Sequence, residues 1–205
     1  MKKLGLFLVT AGATLMIWSG YSWWDQGKAV THEPEKIQQV HQGWEKTERQ
    51  QTIQPVKTTK TVEMPTVYEK GEQVGTLDIP RIGNQYEVFW GTDEDTLKKG
   101  VGLHDSKWTV SPGQSGHVVL SGHRDTVFRN LNQVQNGDHL YVNFEGTTYD
   151  YQVREIWITD EDDRSVIVRK DKPTLTLTTC YPFDYLGSAP ERYIIQAELV
   201  SVEEK

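Results

Sequence analysis

Cys180 is the sole cysteine of the chain, and it ends the run TLTLTTC at 174–180, directly before Tyr181-Pro182. The Thr/Leu alternation reads as a strand, and an X-Pro step breaks regular structure immediately after the sulfur. A thiol at a strand terminus is where a rigid scaffold can hold a reactive group. The plain alternative is a buried thiol that packs as a small hydrophobe. No disulfide within the chain can form, so the residue needs another explanation. A thiolate attacks carbonyls whereas a thiol does not, which calls for a base or a cation nearby. Six histidines are available, at 32, 41, 104, 117, 123 and 139. His123 is the best placed, because it follows the strand-like HVVLS (117–121) and a Gly break. His32 and His41 fall in a polar stretch and His139 at a strand start; residue type alone does not set His104 and His117 aside. Arg192 opens RYIIQAELV twelve residues beyond the cysteine. A guanidinium there, with backbone amides, would stabilise the oxyanion of a tetrahedral intermediate. The chemistry these types support is acyl transfer through a thioester. Asp125 reads as a turn residue. The acidic run at 160–163 lacks calcium-loop spacing and reads as a solvated loop. No closely spaced His/Cys pair suggests zinc, and neither a metal nor a cofactor is expected.

These groups must be positioned by a β body. VGTLDIP, YEVFW, HVVLSGH, DHLYVNFE, TTYDYQVREIWI, TLTLTTC and RYIIQAELV are rich in β-branched and aromatic residues, mostly alternating with period two. Glu145-Gly146 predicts a hairpin and Asn136-Gly137 another turn. Thr92 followed three residues later by Asp95 predicts a helix start with a capping box. Seven or eight short strands and one or two short helices suggest a mostly β closed barrel or compact sandwich.

Around that body lie two other regions. Residues 1–24 carry Lys2 and Lys3 and then no charge until Asp25. The apolar stretch 4–24 matches the roughly 20 residues a bilayer span needs, with the lysines inside and Trp18, Tyr21, Trp23 and Trp24 at the outer interface. No small-x-small cleavage site follows, so an N-terminal membrane anchor or signal-anchor is expected, a cleaved signal peptide being the competing reading; either exports the rest. Residues 25–71 read as a polar extracytoplasmic linker, mostly solvated, in which Ile37, Val40 and Trp44 line one short helical face. Residues 72–205 are expected to form the domain that carries the chemistry. The net charge of -7 and the lack of a basic cluster exclude nucleic acid as a partner.

SGHRDTVF, TLTTCYPF and GSAPERYII together resemble the three active-site segments of the sortases, class D above all. GTLDIPRIG and WGTDEDTLKKGVG resemble that family's opening strand and first helix. The resemblance covers roughly 72–200. It implies a closed eight-stranded sortase β-barrel and a membrane-tethered cysteine transpeptidase of the bacterial surface. It assigns Cys180 as nucleophile, His123 as general acid/base and Arg192 to the oxyanion and substrate. Thr179, Tyr181 and His104 are further candidates for substrate contact. The implied substrates are secreted proteins with an LPxTA-like sorting signal, LPxTG being the variant form. The implied acceptor is an amine of peptidoglycan or its lipid-linked precursor. A hydrolase using the same dyad and a non-enzymatic anchored β domain are the rival readings.

Overall fold

The computed structural model describes residues 2–55, 68–184, 187 and 189–204. Eight strands, β2 (Gln73–Ile79), β3 (Asn84–Trp90), β4 (Val101–Leu103), β5 (His117–Ser121), β6 (His139–Phe144), β7 (Thr147–Asp160), β8 (Thr174–Tyr181) and β9 (Glu191–Glu204), close into a barrel. Their order is β3-β2-β6-β7-β9-β8-β5-β4, and β4 pairs back onto β3. A ninth strand, β1 (Val30–His32), pairs with the first half of β3. Two neighbouring pairs are parallel, β3–β4 and β5–β8. The second of these sets the site, because parallel strands bring their C-terminal ends to one rim of the barrel.

The interior is built by the alternation seen in the sequence. Leu175 and Leu177 of β8 are fully buried with Val118 and Leu120 of β5, Tyr151 of β7 and Ile195 of β9. Each such aliphatic side chain contributes about 1.5–3 kcal/mol on burial. The threonines on the other face of β8 are buried as well: Thr174 is 5% and Thr176 0% exposed. They lie under the segment between β7 and β8, pinned there by His117, whose Nδ1 donates to the Val168 carbonyl and whose Nε2 meets the Thr176 hydroxyl, both at 2.7 Å. Burial holds the His117 imidazole below its ordinary pKa, consistent with a neutral ring between those partners. The β6–β7 hairpin turns at Glu145-Gly146, as expected, with φ of 49° and 77°. Positive φ at both central residues is what a two-residue turn of right-handed hairpin twist demands.

Three helices accompany the barrel: α1 (Lys2–Gln26), α2 (Pro34–Val40) and α3 (Glu94–Leu97). The expected cap at Thr92 is displaced by one residue. Asp93 caps α3, its carboxylate accepting from the Thr96 amide at 3.2 Å and the Thr96 hydroxyl at 2.7 Å. Thr92 instead hydrogen-bonds His104 Nδ1 at 3.0 Å. α1 covers the expected anchor. Among the described residues no helix is long and apolar enough to cross a membrane.

The polar stretch expected to be mostly solvated lies along the barrel from Ala29 to Ile53. Ala29 and Ile37 are 6% and 5% exposed. His41 Nε2 meets Asp78 Oδ2 at 2.7 Å while its ring stacks on Tyr141 at 3.8 Å. Further on, Arg154 donates to the Gln50 carbonyl at 2.6 Å, and the Ile53 amide to the Leu199 carbonyl at 2.9 Å. The strap is held chiefly by polar partners on the outer face, so an apolar period had little to reveal. Val40 is 64% exposed, and Trp44 lies under the Arg81 guanidinium at 5.1 Å rather than on an apolar face.

Candidate active site

β5 and β8 run in register with Ser121 opposite Thr178. Two residues further along the chain from this rung stand His123, just past the end of β5, and Cys180, still on β8, so the parallel pairing carries imidazole and sulfur to one rim. The crossing continues past the ladder. The Gly122 amide donates to the Thr178 carbonyl at 3.3 Å, and the Thr179 hydroxyl donates to the Gly122 carbonyl at 2.7 Å. On the other side β8 runs antiparallel to β9, with Cys180 directly opposite Arg192. Opposed residues of such a pair have side chains about 4.5–5.5 Å apart at Cβ. Folding therefore gathers three residues from three distant segments.

His123, Cys180 and Arg192 line one groove of about 320 Å³. Leu97, Val166, Ile167 and Ile194 give it apolar walls; Thr159, Asp160, Glu161 and Asp163 give it a polar rim. A larger cavity of about 500 Å³, lined by Trp24, His32 and Thr126 among others, contains none of the three residues. Volume does not choose the site; the convergence of thiol, imidazole and guanidinium does. Cys180 is a free, half-buried thiol. His123 is half-buried too, and its carbonyl accepts from the Phe128 amide at 2.8 Å, which closes the turn behind it. Arg124 joins the two loops, donating to the Pro182 carbonyl at 2.7 Å and the Gly187 carbonyl at 2.9 Å.

The other expected residues are placed differently. Thr179 lines the groove, but its hydroxyl is spent on the Gly122 carbonyl. Tyr181 is not on the lining; it stacks on Tyr193 with ring centroids 6.2 Å apart and meets Phe183 edge-on at 5.9 Å. His104 is also off the lining, and burial holds its imidazole below the ordinary pKa. Asp125 is exposed in the turn after His123, its carbonyl accepting from Arg129 at 2.6 Å. The acidic run is used internally. Glu161 pairs with Arg192 at 3.2 Å, Asp160 accepts from the Asp162 amide at 2.9 Å, and Asp163 accepts from Ser165 and Thr159. Sequence reasoning missed Arg124, Glu161 and the apolar walls. Glu161 was visible as a charge, but its spacing from Arg192 gave no sign of pairing.

Residues 77–200 match the Sortase domain family model. The chain belongs to the sortase family. It is 33% identical to Sortase D of Bacillus subtilis (strain 168), over 98% of this chain and all of that protein. It is 27% identical to Sortase A of Listeria monocytogenes, over 75% of this chain and 68% of that one. Among solved structures, the catalytic domain of SrtD from B. anthracis is 48% identical, with a TM-score of 0.60, covering 72% of this chain and 100% of that domain. A Sortase D5 transpeptidase of Clostridium perfringens is 28% identical, with a TM-score of 0.59, over 66% of this chain and 83% of that one. The eight-stranded barrel is the sortase fold, the class D resemblance holds, and sortases are cysteine transpeptidases.

Proposed function

We propose that the chain is a surface-anchored sortase that cuts an LPxTA-like sorting signal in secreted proteins and joins the acyl part to a cell-wall amine. The observation that carries this reading is the register of β5, β8 and β9, which delivers His123, Cys180 and Arg192 to one groove. His123 takes the Cys180 thiol proton as Sγ attacks the carbonyl carbon of the signal's Thr, forming a C–S bond. Arg192 donates to the oxygen as it becomes anionic. His123 gives a proton to the departing amide nitrogen, the C–N bond breaks, and a thioester remains on Cys180. An amine of peptidoglycan or its lipid-linked precursor then attacks the thioester. The amine's proton passes to His123, the C–S bond breaks, and His123 returns that proton to Cys180 Sγ, regenerating the thiol.

The proposed division is an anchor over residues 1–24, a linker over 25–71 and a catalytic domain over 72–205, with the linker's strap seated on that domain. The anchor reading is supported by the charge-free stretch after Lys3. It is also supported by Phe7, Leu8, Leu15, Met16, Ile17 and Trp18 on α1, all more than 60% exposed. Apolar side chains left in water are destabilising unless another apolar phase covers them. Retention of the chain in the membrane fraction after alkaline wash, and its loss on deleting residues 1–24, is the expected result.

The test of activity is the full chain in detergent with a labelled LPxTA peptide and a diamine. Transpeptidation product that rises with amine concentration is expected. Hydrolysis product alone at every amine concentration would turn the reading to a cysteine hydrolase, and an unchanged peptide would favour a non-enzymatic domain.

A further inference from the structure

Arg192 is held by a set of contacts that does not include Cys180 or His123. Its Nη1 donates to the Ala189 carbonyl at 2.9 Å and the Glu191 carbonyl at 3.1 Å, and its Nη2 to Glu161 Oε2 at 3.2 Å. A guanidinium carries five N–H donors in a fixed planar fork. Among the described residues, three are thus engaged, while the Nε–H and the second Nη2–H are left over. Glu161 is itself anchored: its amide donates to the Pro190 carbonyl at 2.9 Å, beside the Thr159–Arg192 and Asp160–Glu191 rungs of the β7–β9 ladder. The backbone therefore presents the carboxylate to the guanidinium from the same rim that carries Cys180. With side chains 30% and 50% exposed, the pair adds little to folding. What a planar fork gains from three fixed partners is orientation.

We propose that Glu161 is a positioning residue: it clamps the Arg192 guanidinium so that its two remaining donors face the oxyanion formed above Cys180. The inference rests on the role assigned to Arg192 above. Glu161 touches neither the nucleophile nor the base and acts through Arg192 alone. Because the contact serves a charge that exists only as the carbonyl becomes tetrahedral, its loss lowers kcat and leaves KM nearly unchanged. Misdirecting an oxyanion donor without deleting it costs less than the hundredfold or more of outright removal; about tenfold is expected.

The test uses the full chain with the LPxTA peptide and an amine, comparing E161A, E161Q, E161D, R192A and the double variant E161A/R192A. E161A is expected to lose about tenfold in kcat with KM within about twofold, and E161Q to lie between E161A and the parent. E161D recovers most of the loss, and in the R192A background E161A changes kcat by less than twofold, the non-additivity of groups acting as a unit. Unfolding midpoints of all Glu161 variants stay near the parent's, as a half-exposed pair requires. R192A impaired with E161A unchanged would overturn the positioning role alone. An E161A loss that persists undiminished in R192A, or that falls on KM, would do the same. A fully active R192A would remove the role of Arg192 and this inference together, leaving acyl transfer by Cys180 and His123 standing.

Discussion

Replacing Thr179 by Val tests whether the seam between β8 and the His123 loop holds the dyad together. Thr179 is 3% exposed, and its hydroxyl donates to the Gly122 carbonyl at 2.7 Å, one residue before His123 and one before Cys180. Valine keeps the shape and removes the donor, stranding a buried carbonyl whose desolvation costs about 1–3 kcal/mol. Taking about 2 kcal/mol, the midpoint of thermal unfolding falls by roughly 4–8 °C for a chain of this size. The effect on activity is larger in proportion, since misplacement of about 1 Å between catalytic groups can cost on the order of a hundredfold. Calorimetry of the variant and kcat/KM on a labelled LPxTA peptide read the two effects separately. T179S, which restores the donor, recovers activity. A T179V protein with a midpoint within about 1 °C of the parent and activity within twofold would refute the argument that this bond positions the site.

Other outcomes follow from the same structure. C180A abolishes acyl transfer, and H123A lowers kcat by about a hundredfold to ten-thousandfold, the range for losing a general acid/base, measured by product formation with amine present. L177A, from a side chain with no exposure, costs about 2–5 kcal/mol in denaturant unfolding. His117, with its pKa lowered chiefly by burial, contributes stability that is full above the unfolded value of about 6.5 and is lost as pH falls below it. His117→Gln therefore flattens the acid side of the stability profile, read by unfolding from pH 8 to 5. His139 behaves oppositely. Burial pulls its pKa down, but the 2.7 Å bond to Asp150, that carboxylate's charge and the Lys46 carbonyl together raise it, so its contribution is full below about 6.5 and fades as pH rises through the raised value. In Asp150→Asn that fading disappears.

How much of this was legible in the chain depended on what held each part. β8 was legible because Leu175 and Leu177 alternate with threonines and a proline follows the sulfur; the barrel's core writes itself in that period. Cys180 and Arg192 were legible as strand ends, though their direct opposition across β8 and β9 is a register that only the folded sheet supplies. The strap over 29–53 was not legible, because His41, Gln50 and Ile53 are held by Asp78, Arg154 and a backbone carbonyl rather than by an apolar face. The α3 cap was misplaced by one residue because Thr92 and Asp93 are both good caps, and His104 settles the choice by engaging Thr92. Glu161 looked like one charge in an acidic loop; its partner lies 31 residues away across a strand pairing.

Sulfur and imidazole line one groove at the ends of two parallel strands, where the sulfur would carry an acyl group. Acid quenching of the full chain after brief exposure to the LPxTA peptide, followed by mass spectrometry, reads that step itself, because Cys180 is the chain's one thiol. An acyl adduct on Cys180 is expected to accumulate without amine, to decay on adding amine, and to accumulate far more slowly in H123A. Transfer to the amine with no adduct at Cys180, or an adduct formed equally fast in H123A, would rule out acyl transfer by this pair.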